Sequence, residues 1–93
     1  MPEMMARVEA EDFERWLRSH RSQAEQRRGY GMTDGPIYRD VDNPNAAFVH
    51  THVEDLVRAG RWFQTQEFME AARRAGVVRR EFYLADNQER PAT

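Results

Sequence analysis

The sequence predicts an α+β protein in which two helices lie on one face of a four-stranded antiparallel sheet, with the elements in the order βαββαβ. Apolar residues recur at helical spacing in two stretches and at strand spacing in four. A turn rich in Asp, Asn and Pro, residues 38–45, joins the two middle strands into a hairpin. Each element has its own signal, given below in chain order.

The first strand and the first helix are separated by a capping residue. Residues 4–9 favour a strand, and Asp12 stands at the N-cap position before the apolar residues begin to recur every three or four positions. Gly29 and Gly31 end the helix, because glycine adopts the left-handed conformation of a C-terminal cap. The predicted buried stripe of this helix is Phe13, Trp16, Leu17, His20 and Ala24. We therefore expect His20 to be a core residue.

The two middle strands are predicted at residues 33–40 and 46–53. Pro36 cannot donate a ladder hydrogen bond, so either the second strand lies at an edge of the sheet or Pro36 occupies the donor-free side of its start. Side chains alternate between the two faces of a strand, which places Val49 and Val53 on one face of the third strand. The opposite face of that strand carries Phe48, His50 and His52.

The second helix is predicted to contain a bend or a break. Asp55 caps its start and Thr65 caps a continuation, with Gly60 between them. Gly76 ends the helix, and residues 77–84 form the last strand, with Phe82 and Leu84 on one face and Glu81 and Tyr83 on the other. The completed order is that of ferredoxin-like domains. We expect one domain over residues 1–85 and a polar tail over residues 86–93.

Composition excludes several classes of function. The 93 residues suffice for one domain, and 16 acidic against 14 interleaved basic residues leave a net charge of −2, which disfavours nucleic acid and anionic membrane as partners. All the basic residues are Arg, so lysine chemistry is excluded, and the lack of cysteine excludes thiolate catalysis and cysteine-ligated metals. The N-terminus has no signal-peptide pattern, so we expect a cytoplasmic protein.

The sheet face without helices is expected to be covered by a second copy of the chain. Such a face would expose a contiguous apolar patch, which soluble monomers rarely carry. Two sheets that meet face to face enclose a space lined by alternate strand residues, and a space of that kind suits a small apolar ligand. We therefore expect a homodimer with a pocket on this face.

The chain resembles the small dimeric α+β barrel proteins related to antibiotic-biosynthesis monooxygenases. The resemblance covers nearly the whole sequence and rests on residues 12–16 (DFERW), 38–45 (YRDVDNPN), 53–56 (VEDL) and 75–77 (AGV). It implies a βαββαβ homodimer, in a family that includes cofactor-independent monooxygenases of aromatic polyketides or quinols, haem-degrading enzymes, and proteins that bind or isomerise small molecules. Ala71 or Ala72 stands where the haem-degrading relatives carry their haem-ligating histidine, so the resemblance does not imply haem degradation.

His50 and His52 are the candidate catalytic residues. A neutral imidazole can remove a phenolic or enolic proton, and Tyr38 on the neighbouring strand could stabilise the developing oxyanion. A metal site would need a third ligand beyond the two histidines, such as His20, Asp34 or Glu54, so we predict no metal. An equally plausible interpretation is that both histidines are interface residues with satisfied hydrogen bonds. Arg27, Arg28, Arg79 and Arg80 are expected to be solvated or capping charges.

The sequence thus predicts a small-molecule enzyme of secondary or aromatic metabolism, most plausibly a cofactor-independent monooxygenase of an aromatic or polyketide-like substrate. Phe48, Tyr83 and Trp62 are the candidate pocket residues, although core packing is the ordinary role of Trp62. The alternatives are a cyclase or isomerase that uses the same pocket, and a non-catalytic binding dimer. No cofactor is expected.

Overall fold

A computed structural model describes residues 2–86, and it confirms the predicted fold class and element order. The four strands are β1 (Pro2–Ala10), β2 (Met32–Arg39), β3 (Ala46–Val53) and β4 (Val77–Asp86). They form one antiparallel sheet in the order β2-β3-β1-β4. Of the predicted polar tail, Asp86 ends β4, and residues 87–93 lie outside the described residues.

Each predicted helix consists of two shorter helices. The first is divided into α1 (Phe13–Ser22) and α2 (Ala24–Gly29), and the second into α3 (Leu56–Phe63) and α4 (Gln66–Arg74). The break in the second helix was predicted, whereas the break at Gln23 was not, because the apolar spacing continues across it. Within residues 2–86, no helix has the length and apolarity that crossing a membrane requires.

The predicted caps are present. The carboxylate of Asp12 accepts a hydrogen bond from Arg15 N, and that of Asp55 accepts from Val57 N. These bonds satisfy amide groups that have no partner within the first turn of a helix. After the second and fourth helices, Gly31 and Gly76 adopt φ values of 79° and 76°, the left-handed conformation expected of a C-terminal glycine.

β2 is an edge strand, as Pro36 predicts. Its pairing with β3 is regular on both sides of an irregularity between Asp34 and Ile37, the segment that contains Gly35 and Pro36. Gly35 approaches β3 so closely that a Cβ atom there would lie 2.8 Å from the carbonyl oxygen of His50. Glycine is therefore needed at this position because the backbone of the neighbouring strand occupies the space.

The hydrophobic core lies between the helices and one face of the sheet. One cluster packs Val8 and Val49 of the sheet against Phe13 and Trp16 of α1. A second cluster packs Met4, Met32 and Val53 against Trp62 of α3. All four helices therefore lie on the same side of the sheet, as two-layer α+β packing requires.

The opposite side of the sheet, here called the open face, is mixed in character. It carries exposed aromatic residues, among them Tyr38, Phe48 and Tyr83, beside the charged residues Glu3 and Arg7. The apolar residues of this face form two adjoining pairs, Tyr38 with Phe48 and Met5 with Tyr83, and Arg7 and Glu3 interrupt them, so the expected apolar patch is present only in part. Its charges are paired locally, Arg7 with Glu9 and Asp40, and Arg79 with Glu81.

Replacing Gly35 with Ala should destabilise the protein by about 1–3 kcal/mol, because the new methyl group meets backbone that cannot rotate away. The matched control is Gly60→Ala in α3, where a Cβ atom meets nothing within 4 Å. This control should stabilise the protein by roughly 0.5–1 kcal/mol, since alanine favours a helix interior. Urea unfolding of both variants measures the difference. Equal stabilities would contradict the close approach of β2 and β3.

Candidate functional site

His50 and His52 lie side by side on the open face, joined through one carboxylate. Their ring centroids are 5.4 Å apart. One oxygen of Glu3 on β1 contacts His50 Nε2, and the other contacts His52 Nδ1. The side chain of Glu3 is 15% exposed, against 32% for His50 and 51% for His52. The carboxylate is thus less exposed than either ring, and both rings remain accessible.

The shared carboxylate determines the tautomer of each neutral ring. An ionised carboxylate only accepts hydrogen bonds, so His50 must donate from Nε2 and His52 from Nδ1. The lone pairs of the neutral rings are then left on His50 Nδ1 and His52 Nε2. A carboxylate that orients an imidazole in this way is a recurring arrangement around histidine bases. The pair can therefore act as a proton acceptor.

Glu3 is ionised at neutral pH. No sequence pattern identified it as a site residue. Burial raises the pKa of its carboxyl group, but the hydrogen bonds from His52 and His50 outweigh burial and hold the pKa below its ordinary value. Glu3 lies just before the strand predicted at residues 4–9, and the structure includes it in β1, directly opposite His52. That pairing is visible only once strand order and register are known.

The described residues do not assemble a metal site around the histidine pair. Within residues 2–86, no group of three or more His, Asp or Glu side chains has a metal-binding arrangement. Two of the proposed third ligands, His20 and Asp34, belong to the helix side of the sheet, where they lie near Arg27. The sheet therefore separates them from His50 and His52.

The other predicted site residues are divided between the two sides of the sheet. Tyr38 pairs in register with Phe48 on the open face and is 63% exposed. Tyr83 is also on this face, and its hydroxyl donates to Glu81 at 3.0 Å, which raises the pKa of the phenol. Trp62 does not join them, because α3 buries it against the helix side of the sheet at 3% exposure. Trp62 instead lines a cavity on the helix side of the sheet.

That space is a cavity of about 50 Å³ between the helices and the sheet. Aromatic side chains from α1 and α3 and small apolar side chains from the sheet form most of its wall. Four polar side chains also line it: His20, Arg27, Thr51 and Arg80. An apolar space with a few convergent polar groups is the usual form of a small-molecule site. We call it the helix-side cavity.

Arg27 is buried at the wall of the helix-side cavity. The expectation of a solvated or capping side chain is therefore wrong for this residue. Its side chain is fixed by hydrogen bonds from Nε and Nη2 to the carboxylate of Asp34, at 2.7 and 2.8 Å, and from Nη2 to the carbonyl oxygen of His20 at 2.7 Å. The ion pair lowers the pKa of Asp34. Arg27 Nη1 is buried and has no hydrogen-bond partner among the described residues.

The cavity carries an uncompensated positive charge. Asp34 neutralises Arg27, whereas no carboxylate in residues 2–86 pairs with Arg80, whose pKa is lowered by burial alone. Arg80 packs over the ring of Phe68, 4.8 Å from its centroid. Burial, assisted by Arg27 and Arg80 and opposed by Asp34, lowers the pKa of His20 to about 4. The cavity is thus lined by one paired cation, Arg27, one cation without a carboxylate partner, Arg80, and a neutral imidazole.

A second, outer space adjoins the cavity. This outer groove has a volume of about 230 Å³ and is lined by apolar residues of α3, β1, β3 and β4. Met4, Phe63 and Phe82 line both the cavity and the groove. The rings of Phe63 and Phe82 pack edge to face with centroids 5.1 Å apart. This aromatic pair therefore stands between the two spaces.

No protein-family model and no curated protein matches the sequence. Solved structures match it along nearly its whole length. A candidate antibiotic biosynthesis monooxygenase from Nitrosomonas europaea has a TM-score of 0.72 at 14% identity, over 96% of this chain and 100% of that one. SnoaB of Streptomyces nogalater, described as a cofactor-independent oxygenase, has a TM-score of 0.74 at 15% identity, over 96% and 94%.

This chain has the antibiotic-biosynthesis-monooxygenase fold. A further candidate monooxygenase, from Bordetella bronchiseptica, has a TM-score of 0.70 at 14% identity and covers 92% of this chain. The structural likeness that the sequence motifs indicated is therefore confirmed. At these identities the likeness concerns the fold, so the chemistry has to be argued from the residues of this chain.

Acid should destabilise the protein through His20. The folded-state pKa of His20, about 4, lies below the ordinary value near 6.5 that it regains on unfolding. Stability is therefore complete above pH 6.5 and falls as the pH decreases toward 4, because the unfolded chain binds the proton first. We expect a loss of about 2 kcal/mol between pH 7 and pH 5.

Chemical denaturation at a series of pH values measures this loss. His20→Gln, which keeps a neutral polar side chain, should remove most of the decline over that range. An identical pH dependence in the native and substituted proteins would show that His20 is not held neutral by burial.

Proposed function

We propose that the protein is a cofactor-independent monooxygenase of small aromatic molecules, and that the helix-side cavity is its substrate pocket. The observation that carries the proposal is the uncompensated positive charge of this apolar cavity, supplied by Arg27 and Arg80 against the single carboxylate of Asp34. In such a low-dielectric site, fixed cations stabilise an anion far more than they would in water.

Stabilising a substrate anion is the central requirement for oxygenation without a cofactor. A phenol or enol that loses its proton becomes electron-rich enough to pass an electron to O2, after which carbon and oxygen combine. For a hydroxyarene, the ring carbon para to the hydroxyl becomes a second carbonyl. One oxygen atom of O2 enters that carbonyl, and the other leaves as water with the hydroxyl hydrogen and the ring hydrogen, so atoms and electrons balance.

His20 can hold the substrate proton in this pocket. Burial and the two arginines keep its imidazole neutral and therefore able to accept a hydrogen bond. An anion bound beside His20 offsets the charge of the arginines, which raises the pKa of the ring toward its ordinary value. Proton transfer to His20 thus becomes favourable as the substrate anion forms.

The fold supports this function. Structures with this fold include SnoaB, described as a cofactor-independent oxygenase, and several candidate antibiotic biosynthesis monooxygenases. The likeness makes oxygenation a reasonable hypothesis for this chain, and the charge of the cavity adds a physical reason that belongs to its own residues.

The open face is a second candidate site for the same reaction. There His50 or His52 would be the base, Tyr38 would bind the oxyanion, and Phe48 and Tyr83 would contact the substrate. The observation in its favour is Glu3, which leaves one imidazole nitrogen of each histidine free to accept a proton. A second copy of the chain would have to enclose this pocket, since half or more of Tyr38 and Tyr83 is exposed in one copy.

The homodimer itself is part of the proposal, with the two open faces packed against each other. Phe48 is 44% exposed near the middle of this face, so Phe48→Glu should place an unpaired charge in the interface and dissociate the dimer. Sedimentation equilibrium compares it with Val57→Glu, a control at an exposed position on α3. A dimer that both variants leave intact would contradict packing through the open face.

Oxygen uptake with a panel of hydroxynaphthalenes tests the function. We expect uptake that chelators do not abolish, with water and a quinone as products. Arg80→Gln should lower kcat/KM by roughly 10²-fold, since it removes one fixed charge from the developing anion. His50→Gln and His52→Gln should leave the rate nearly unchanged.

Three other results would overturn parts of the proposal. A large loss in the His50 and His52 variants, with Arg80→Gln active, would move the reaction to the open face. A product that forms without O2 would indicate the cyclase or isomerase alternative, and saturable binding without turnover across the panel would indicate a binding protein.

A further inference from the structure

The two edges of the sheet differ, and one of them is open to pairing. We propose that the free edge of β4, the side of this strand away from β1, pairs antiparallel with the same edge of a second copy, with Tyr83 opposite Tyr83. Combined with the open-face homodimer, this contact joins two dimers into a tetramer. The size of the assembly rests on the proposed dimer, whereas the edge contact depends on β4 alone.

The β2 edge is protected against such pairing. Pro36 lacks the amide donor that a ladder needs, and the register with β3 is irregular between Asp34 and Ile37. Proline and bulges are among the usual devices by which proteins keep a strand edge from joining another chain. β2 therefore offers only short segments to a neighbouring strand.

The free edge of β4 lacks these devices over most of its length. The strand contains no proline and no glycine. Its register with β1 shifts between Glu9 and Ala10 and is regular from Arg79 onward. Among residues 2–86, no strand pairs with its outer side. The amide and carbonyl groups that point outward along this edge can therefore bond to another chain.

Three consecutive large side chains are exposed on this strand. Phe82, Tyr83 and Leu84 are 45%, 55% and 62% exposed. The register with β1 places Phe82 and Leu84 on the helix side of the sheet and Tyr83 on the open face. Packing of two open faces would cover Tyr83 and leave the other two in water. A second contact is therefore needed to bury the helix-side pair.

The sequence of β4 is self-complementary when Tyr83 lies at the two-fold axis. Phe82 of each copy then lies opposite Leu84 of the other, because directly opposed residues of antiparallel strands share a face. On the open face, Glu81 lies opposite Ala85, so no like charges are opposed. Moving the axis to Glu81 would oppose two carboxylates, and moving it to Phe82 would lose both Phe–Leu pairs.

One such strand pair is a small contact. Two strands without further packing are only marginally stable in water, so single copies should not associate through this edge at micromolar concentration. Two dimers meet through two edges, and the second pairing forms within the same complex at a high effective concentration. A two-fold contact added to a two-fold dimer closes as a tetramer, a common symmetry of soluble oligomers.

The second copy would also border the outer groove. Phe82 and Leu84 both line this groove. In the paired edges, Leu84 of one copy packs against Phe82 of the other. Each groove is then bordered by both copies, so the contact adds to the surroundings of the proposed substrate pocket.

Sedimentation equilibrium of the full chain over a range of concentrations tests the assembly. The native chain should be a tetramer that dissociates to dimers on dilution. Leu84→Glu places a carboxylate against Phe82 of the other copy, and should remain a dimer at concentrations about tenfold above those at which the native chain is a tetramer. Val57→Glu, at a position on α3 that is 68% exposed, is the matched control and should assemble as the native chain does.

Cysteine cross-linking tests the register, because the chain has no cysteine of its own. An oxidised mixture of Phe82→Cys and Leu84→Cys should form a disulfide between the two variants, since directly opposed residues lie within disulfide reach. Each variant alone should link poorly, because identical positions are two residues out of register. Open-face packing cannot produce the link, since both positions are on the helix side.

A native chain that stays a dimer at every concentration, or a tetramer that Leu84→Glu leaves intact, would overturn the edge contact. Cross-linking of each variant alone at the rate of the mixture would overturn the register. An assembly that Leu84→Glu dissociates and Phe48→Glu does not would support the edge contact and refute the packing of the open faces. None of these outcomes depends on oxygen uptake, so the contact and the monooxygenase fail separately.

Discussion

The buried ion pair between Arg27 and Asp34 is the constraint on which the helix side of this protein depends. It joins α2 to the edge strand β2, and the third bond, to the carbonyl oxygen of His20, includes the end of α1. A guanidinium can be buried only when it is paired and hydrogen-bonded. Because Asp34 and His20 accept three hydrogen bonds from Nε and Nη2, the orientation of the remaining nitrogen, Nη1, is also fixed.

The same pair determines the electrostatics of the cavity. Asp34 balances the charge of Arg27, so the cation without a carboxylate partner in residues 2–86 is Arg80, whose pKa is lowered by partial burial. His20 responds to both arginines by staying neutral. The chemistry proposed for this pocket therefore follows from one buried ion pair and one cation without a carboxylate partner, and it requires no strong base.

The sheet divides the polar groups of the chain into two sets with different properties. On the open face, Glu3 joins His50 and His52 in an accessible network, and the nearby charges are paired locally. On the helix side, His20 and Arg27 are enclosed by aromatic rings. Alternation along β1 and β3 produces this division, since neighbouring residues of a strand point to opposite faces. Two candidate sites about one sheet thickness apart are the result.

Local sequence signals determined the elements of this protein by themselves. Asp12, Asp55 and Thr65 cap helices because their side chains accept bonds from nearby amides, and Pro36 places β2 at an edge because it has no donor. Such effects act over a few residues and can be read from the chain. The alternation of side chains along a strand was sufficient to predict that His50 and His52 share a face.

Only the tertiary structure decided which polar residues meet. Glu3 reaches His50 and His52 from 47 and 49 residues away, and Arg27 is buried because α2 turns it onto Asp34 of β2, although a basic residue at a helix end is ordinarily solvated. Trp62 belongs to the helix side for a similar reason, since the orientation of α3 is set by packing against Met32 and Val53. Contacts of this kind depend on register and helix orientation, which arise from the packing of the whole domain and which no local spacing encodes.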